Sequence, residues 1–244
     1  MIVSIVTVCF NDLSGLKRTA DSIGALMAGE TIEWIVIDGG SSDGTVAFIK
    51  ECSFIDKWVS EPDGGIYDAM NKGTALASGE YVQYLNAGDQ YCSGVDFEKV
   101  IDLLQGGVEV LLCGANFRSG NSVKYRAPRD ISASRYSVPA NHQAILFKRS
   151  VLGPSPYNKE YKVCGDYDLC TRLYAQNVSA LKADFPFVIF ELGGTSTFRI
   201  FTLAREAAKI QVRNLDLNFF YVAYSFCVRI LKMSVVLAWF KLNS

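Results

Sequence analysis

From residue 2 to residue 85, short β-prone apolar runs alternate with stretches of helical period, and few folds accept that alternation. Residues 2–9 form the first run, followed by polar Asn11-Asp12 and a helical pattern through Leu16, Ala20, Ile23 and Leu26. Trp34-Ile35-Val36-Ile37 is a second buried run, ending at Asp38-Gly39-Gly40-Ser41-Ser42-Asp43-Gly44 before a helix over 45–51. A strand at 57–60, a helix from Ile66 to about Ala77 and a strand at 81–85 continue the pattern. Strands without a polar face are covered by helices on both sides, which predicts an α/β fold with a parallel sheet and right-handed crossovers. Beyond residue 90 the pattern is mixed: a helix at 97–104, a strand at 108–113, hairpin-like material over 116–129, a strand at 144–148 and a helix at 166–175.

Charge then limits what such a fold can bind. With 24 basic and 25 acidic residues the chain has a formal net charge of -1, so no global field collects a phosphate backbone, and nucleic acid is not an expected partner. Half of the residues are hydrophobic, enough for a sizeable core and against disorder. Residues 195–244 nevertheless hold seven basic side chains against two acidic ones, Glu206 and Asp216, which divides the chain near Gly193-Gly194. The expected domains are therefore 1–194, catalytic, and 195–244, a basic, apolar helical extension. Seven scattered cysteines without a Cys-x-x-Cys pair form neither a disulfide framework nor a zinc site. The chain enters its first strand with no basic leader pattern, so a cytoplasmic protein is expected.

Open parallel sheets bind ligands beyond the carboxyl ends of their strands. Those positions are acidic here: Asp12, Asp38, Asp43, Glu61, Asp63, Asp68 and Asp89. Carboxylates facing one crevice repel each other unless a cation or hydrogen-bond donors enter, and a divalent metal carrying a nucleotide supplies both. The dinucleotide fingerprint and the P-loop lysine are both absent, so phosphate must be held another way. The densest motif runs Asp63-Gly-Gly-Ile-Tyr-Asp-Ala-Met-Asn-Lys-Gly73, followed by Gly79-Glu80-Tyr81-Val82 and Leu85-Asn86-Ala87-Gly88-Asp89.

With Asp38–Gly44 before it and Gly165-Asp166-Tyr167-Asp168-Leu169 after it, this order of motifs resembles the family 2 glycosyltransferases of bacterial polysaccharide assembly, which have the GT-A nucleotide-sugar fold. The resemblance spans roughly residues 1–192. It implies an inverting transferase that moves a sugar from a nucleoside diphosphate sugar to a saccharide or lipid-linked saccharide acceptor, with Mn²⁺ or Mg²⁺ as cofactor.

Residue by residue, the resemblance implies donor contacts from Thr7, Phe10, Asp38, Asp68, Lys72 and Asn86. Phe10 would stack on the base and Asp38 would hydrogen-bond it, although core filling and an Asx turn explain the same two residues. Asp68, Asn71 and Lys72 share one helical face by their spacing, an acid, an amide and a cation together. Asp89 matches the last acid of the Asp-x-Asp-type motif and is the expected metal ligand. The chain departs from the common pattern there, because Asn86, Ala87 and Gly88 leave Asp89 as the one acid. Asp166 is the expected general base. Asp168, two residues on, must point elsewhere on a helix, so it and Arg172 are expected as supporting or phosphate contacts. His142, the only histidine, is expected to contact leaving-group phosphate or acceptor, with a buried hydrogen-bonded histidine as the alternative.

In the tail, 219–240 is long and apolar enough to span a bilayer, but Arg229 and Lys232 lie in its middle. Continued as one helix, Gln211, Asn214, Asn218, Ser225, Arg229 and Lys232 fall in a narrow polar stripe surrounded by aromatic and aliphatic residues. That pattern predicts an amphipathic helix lying on an anionic membrane, peripheral on its inner face, where a lipid-linked acceptor would be met, with a span and a protein-packed or dimerising helix as the alternatives. A nucleotidyltransferase and a non-catalytic membrane-bound nucleotide-sugar scaffold are the competing functions. The first lacks its glycine-rich basic loop after the first strand.

Overall fold

The structure, a computed structural model, describes residues 2–26, 31–192 and 199–242, with side chains up to residue 231 in the last helix. The expected boundary at Gly193-Gly194 and the side chain of Lys232 lie outside the described residues. The N-terminal units follow the predicted alternation: β1 Val3–Cys9, α1 Leu13–Gly24, β2 Ile32–Asp38, α2 Thr45–Glu51, β3 Lys57–Ser60, α3 Ile66–Leu76 and β4 Tyr81–Tyr84. Then come β5 Gln90–Tyr91, α4 Phe97–Gln105, the hairpin β6 Val110–Ser119 and β7 Ser122–Arg126, β8 Ile145–Lys148, α5 Arg149–Leu152 and α6 Gly165–Ala175. β9 Ala180–Glu191, α7 Ile200–Leu215 and α8 Phe219–Leu242 complete the described chain.

The strands form one sheet in the order β3-β2-β1-β4-β8-β6-β9-β5, with β7 paired to β6. The β3-β2-β1-β4 half is parallel. β8 runs antiparallel to both β4 and β6, while β6 and β9 are parallel. Every residue of β1 and β2 is buried, the apolar majority in the cores and the polar Ser4, Thr7, Glu33 and Asp38 with hydrogen-bond partners. Alternate side chains feed two cores: Val3 and Ile5 pack with Trp34 and Val36 on one face, Val6 and Val8 with Ile35 and Ile37 on the other. Cys9 pairs with Asp38, and Asp38 with Ser60, so β1, β2 and β3 end in register and their following loops rise over one edge. α3 approaches β1 closely because residue 73 is glycine: a Cβ there would lie 2.3 Å from Val6 Cγ1.

Two elements depart from expectation. β9 was not predicted because Lys182, Asp184 and Pro186 interrupt its apolar pattern. The sheet accommodates the proline with register shifts opposite Gly114, where a missing ladder donor is tolerated. The tail is helical as expected, but its two helices break at Asp216, which adopts φ +47°, so the polar stripe is not continuous. Gln211, Asn214 and Arg229 of that stripe turn toward the 135–171 region, while Asn218 is exposed. Gln211 Nε2 donates to the Arg135 carbonyl at 3.2 Å, and Asn214 Nδ2 donates to Asp168 Oδ1 at 3.0 Å and Thr171 Oγ1 at 2.8 Å. Arg229 donates to the Tyr136 carbonyl and covers the Tyr167 ring at 5.0 Å. Phe219, Phe220, Tyr224 and Leu231 are left exposed, Phe220 by 83%. Among the described residues no helix is long and apolar enough to cross a membrane.

Candidate active site

A cleft of about 1340 Å³ opens above the carboxyl ends of β1 and β4, walled by the loops after β1 and β4, the start of α3, the 137–143 segment and the first turn of α6. Of the ten candidate site residues, five line it: Phe10, Asp68, Asn86, His142 and Asp166, joined by the metal candidate Asp89. Thr7, Asp38, Lys72, Asp168 and Arg172 do not.

On the nucleotide side, Phe10 is 64% exposed at the cleft edge. Gly39 lets its ring and Asp63 come close, since a Cβ there would lie 3.2 Å from Phe10 Cδ2 and 2.8 Å from Asp63 Oδ2. Asp63 Oδ1 accepts from the Gly65 N–H at 2.8 Å. Asp38, the expected base contact, is fully buried instead. It accepts from the Gly40 and Ser41 N–H groups at 3.2 and 3.0 Å, and from the hydroxyls of Ser60 (2.7 Å) and Ser41. With its lone pairs spent on the 38–44 turn, it shapes the site from beneath and leaves Asp63 as the acid beside Phe10. Thr7 points into the core, where its hydroxyl accepts from Trp34 Nε1 at 2.9 Å.

The shared face predicted on α3 is only partly formed. Asp68 faces the cleft, accepting from the Gly64 N–H at 3.0 Å and pairing with Lys159 at 3.1 Å; these hold its carboxyl below the ordinary range. Lys72 lies 4.0 Å from Asp68 and is drawn away to Glu61 at 2.7 Å. Asn71 is clasped to the main chain of Tyr157, donating to its carbonyl and accepting from its N–H, both at 2.9 Å.

The loop after β4 turns at Gly88, whose φ of +95° favours glycine. Thr19 of α1 pins that loop, donating to the Asp89 carbonyl at 2.7 Å and accepting from the Gly88 N–H at 3.0 Å. Asp89 is 5% exposed and accepts from the Glu191 N–H at 3.1 Å, and burial pushes its pKa up to about 7. No cation pairs with it among the described residues, and the neighbouring Asn86 Oδ1 is buried without a hydrogen-bond partner. A buried carboxylate and an orphaned amide oxygen are hard donors that fit Mg²⁺ or Mn²⁺. Among the described residues no three His, Cys, Asp or Glu side chains cluster as a cage, so such an ion would need phosphate and water for its other positions.

Across the cleft, Asp166 stands half-buried in the first turn of α6, its Oδ1 accepting from the Tyr167 N–H at 2.8 Å. Burial pushes its pKa up to about 6, with a smaller contribution from the Glu206 carboxylate. Asp168 points away, as the helical spacing requires, into contact with Arg172 Nε at 3.0 Å and Asn214. Arg172 also donates to the Pro156 carbonyl, so this pair secures α6 from behind and touches no cleft surface. His142 lines the cleft at 7% exposure, with Nε2 2.7 Å from the Tyr157 hydroxyl and Nδ1 unpartnered. Burial lowers its pKa to about 4, so the ring is neutral at pH 7 and offers a hydrogen bond rather than a charge. Cleft cations come from residues the sequence did not single out: Arg18, Arg126, Arg129, Lys159, Lys162 and Arg199. They belong to no motif, and only the fold gathers them.

The family model for glycosyl transferase family 2 matches residues 4–177. An "Uncharacterized glycosyltransferase" of Mycobacterium tuberculosis is 36% identical over 179 residues, covering 70% of this chain and 68% of that protein. A "PGL/p-HBAD biosynthesis glycosyltransferase" of Mycobacterium bovis is 29% identical over 211 residues, covering 79% and 78%. Among solved structures, S. aureus TarS 1-349 in complex with UDP superposes with a TM-score of 0.67 at 15% identity, over 93% of this chain and 70% of that one. The Pyrobaculum calidifontis mannosyltransferase PcManGT, in complex with GDP-Man and Mn²⁺, gives a TM-score of 0.70 at 14% identity, over 97% and 74%. At those identities the two structures establish the fold, which is GT-A.

Proposed function

The chain belongs to glycosyl transferase family 2, and on that premise we propose that it is an inverting, metal-assisted enzyme. It moves a sugar from a nucleoside diphosphate sugar to a lipid-linked saccharide acceptor in bacterial surface polysaccharide or glycolipid assembly. One observation carries the reading: Asp89 and Asp166, both with pKa values raised by burial, line a single cleft over the strand ends. Carboxylates perturbed by burial and lining one cleft are the groups an active site arranges for acid–base and metal chemistry.

In this reading Phe10 stacks on the base and Asp63 reads its edge or the ribose. Arg18 meets the phosphates. Asp89 and Asn86 Oδ1 would hold the divalent ion, which neutralises charge on the departing diphosphate when bound. Asp166, with a pKa of about 6, is ionised at neutral pH yet basic enough to accept a proton in the transition state. It takes the acceptor hydroxyl proton as the acceptor oxygen bonds to the anomeric carbon and the bond to the diphosphate breaks on the opposite face. His142, neutral, donates or accepts one hydrogen bond at the acceptor. The exposed aromatic residues of α8 support a peripheral position on the inner membrane face, because they are the surface that the polar stripe leaves free.

Calorimetry with UDP, GDP, CDP and dTDP, with and without Mn²⁺, tests the reading on the protein and on Asp89→Ala. Mn²⁺-dependent binding of one nucleotide, lost in the variant, is expected. Folded protein that binds none of the four overturns the reading.

A further inference from the structure

The family match ends at residue 177, and the charge pattern sets residues 195–244 apart. The hydrogen bonds of α7 nevertheless converge on the element that carries the proposed base. Glu206, on α7, accepts three consecutive main-chain N–H groups: Lys162 at 2.8 Å through Oε1, then Val163 at 3.0 Å and Cys164 at 2.9 Å through Oε2. Cys164 is the N-cap of α6 and offers no side-chain cap of its own, and Glu206 instead holds the main chain of the residues that lead into the helix, up to and including that N-cap. Asp166 lies two residues further on. A carboxylate from another helix thus fixes the chain entering α6, while within the first turn Asp166 Oδ1 accepts from the Tyr167 N–H. Below it, Asn214 holds Asp168 and Thr171 one turn along α6, so α7 grips that helix at two levels. Above it, Leu203 and Arg199 form part of the cleft wall themselves.

We infer that Glu206 is a positioning residue for glycosyl transfer: its clamp on 162–164 sets the first turn of α6 so that Asp166 faces the cleft, which makes α7 a working part of the active site. This rests on Asp166 being the base. The groups packed around Asp166 sharpen the test. Tyr67 of α3, Tyr157, Cys164 and Cys170 are all kept neutral by burial, and Arg229 of α8 stands over Tyr167. Glu206 is the carboxylate among these neighbours, and it disfavours ionisation of Asp166.

Three forms of the whole protein are compared: wild type, Glu206→Gln and Gln211→Met. The last removes α7's anchor to the Arg135 carbonyl, away from the 162–164 clamp. Thermal unfolding first confirms that each is folded. Glu206→Gln keeps one acceptor oxygen but loses the charge, and kcat is expected to fall at least tenfold with donor KM within twofold. The Asp166 side-chain carboxyl carbon, followed by NMR, is expected to titrate at lower pH in Glu206→Gln and unchanged in Gln211→Met. Glu206→Asp should recover part of kcat, because a shorter carboxylate can still reach some of the three N–H groups. The proposal is overturned if Glu206→Gln leaves both kcat and the Asp166 titration at wild-type values, or if Gln211→Met lowers kcat equally. Because the titration is read without substrate, it decides the coupling even if the wild type transfers no sugar; that second result would sink the transferase reading alone.

Discussion

His142 gives the chain a pH dependence that can be calculated and isolated. Its side chain ionises near 6.5 in an unfolded chain, and burial lowers that to about 4 in the folded one. A base whose pKa falls on folding binds fewer protons when native, so its contribution to stability is complete above pH 6.5 and is lost as pH falls toward 4. Integrating between those pKa values gives a loss of about 2 kcal/mol from pH 7 to pH 5, and about 3 kcal/mol in full. Asp89, raised to about 7, and Asp166, raised to about 6, work in the opposite sense: they bind more protons when folded, so their penalty eases as pH falls. The wild-type pH profile is the sum of both signs. The diagnostic quantity is therefore the difference between wild type and His142→Gln in urea unfolding at the two pH values. The variant loses the bond to Tyr157, roughly 1 kcal/mol at either pH. Beyond that constant offset, it should gain on wild type by about 2 kcal/mol on going to pH 5. As the only histidine, its Cε1–H resonance needs no assignment and should titrate well below 6.5. Parallel pH profiles for the two proteins, or a midpoint near 6.5, would refute both the buried neutral ring and the hydrogen-bonding role built on it.

Asp166→Asn should lower kcat by roughly 10²- to 10⁴-fold while nucleotide affinity in calorimetry stays unchanged. The acidic limb of wild-type kcat against pH should fall near the Asp166 pKa of about 6, with activity lost below it. Gly165→Ala should cost about 1–3 kcal/mol in denaturant unfolding, since its Cβ would meet three Tyr67 ring carbons at 2.6 to 2.8 Å and that ring is backed by Tyr157 at 5.4 Å. Replacing Phe219 and Phe220 together by serine should abolish sedimentation with anionic vesicles, at about 1.5–3 kcal/mol per buried ring, without changing unfolding. Unchanged sedimentation would remove α8 from the membrane.

The parallel half of the fold was legible because β1, β2 and β4 are short, unbroken and buried on both faces, so composition separates them from the amphipathic helices between, while β3 at the sheet edge is only partly buried. β9 was not, because a strand on a bulged sheet can carry Pro186 and Lys182 where a regular strand cannot. The candidate site divided in the same way. Positions fixed by helical or turn geometry were readable: Asp166 faces the cleft and Asp168 turns from it, as a separation of two residues on a helix demands. Choosing among acids at the strand ends was not readable. Asp38 and Asp63 lie in glycine-rich turns of the same character, and which one caps the turn and which lines the cleft depends on Ser41 and Ser60 reaching Asp38, a contact across two loops.

The tail shows most clearly what periodicity can and cannot say. Periodicity puts Gln211 and Asn214 of α7 and Arg229 of α8 in one helical stripe; Asp216 breaks the helix between them, and what each of them meets is protein. Polar side chains on a helix turn toward whatever supplies their hydrogen bonds, and here the 135–168 segment offers the carbonyls of Arg135 and Tyr136 and the side chain of Asp168. Once those bonds are made on the inside, burial of the remaining apolar surface has to come from outside the described residues. The orientation that fastens α7 to α6 is thus the same one that presents Phe219, Phe220 and Tyr224 outward. The rings on α8 and the clamp on the turn that holds Asp166 therefore belong to two successive helices, joined at Asp216.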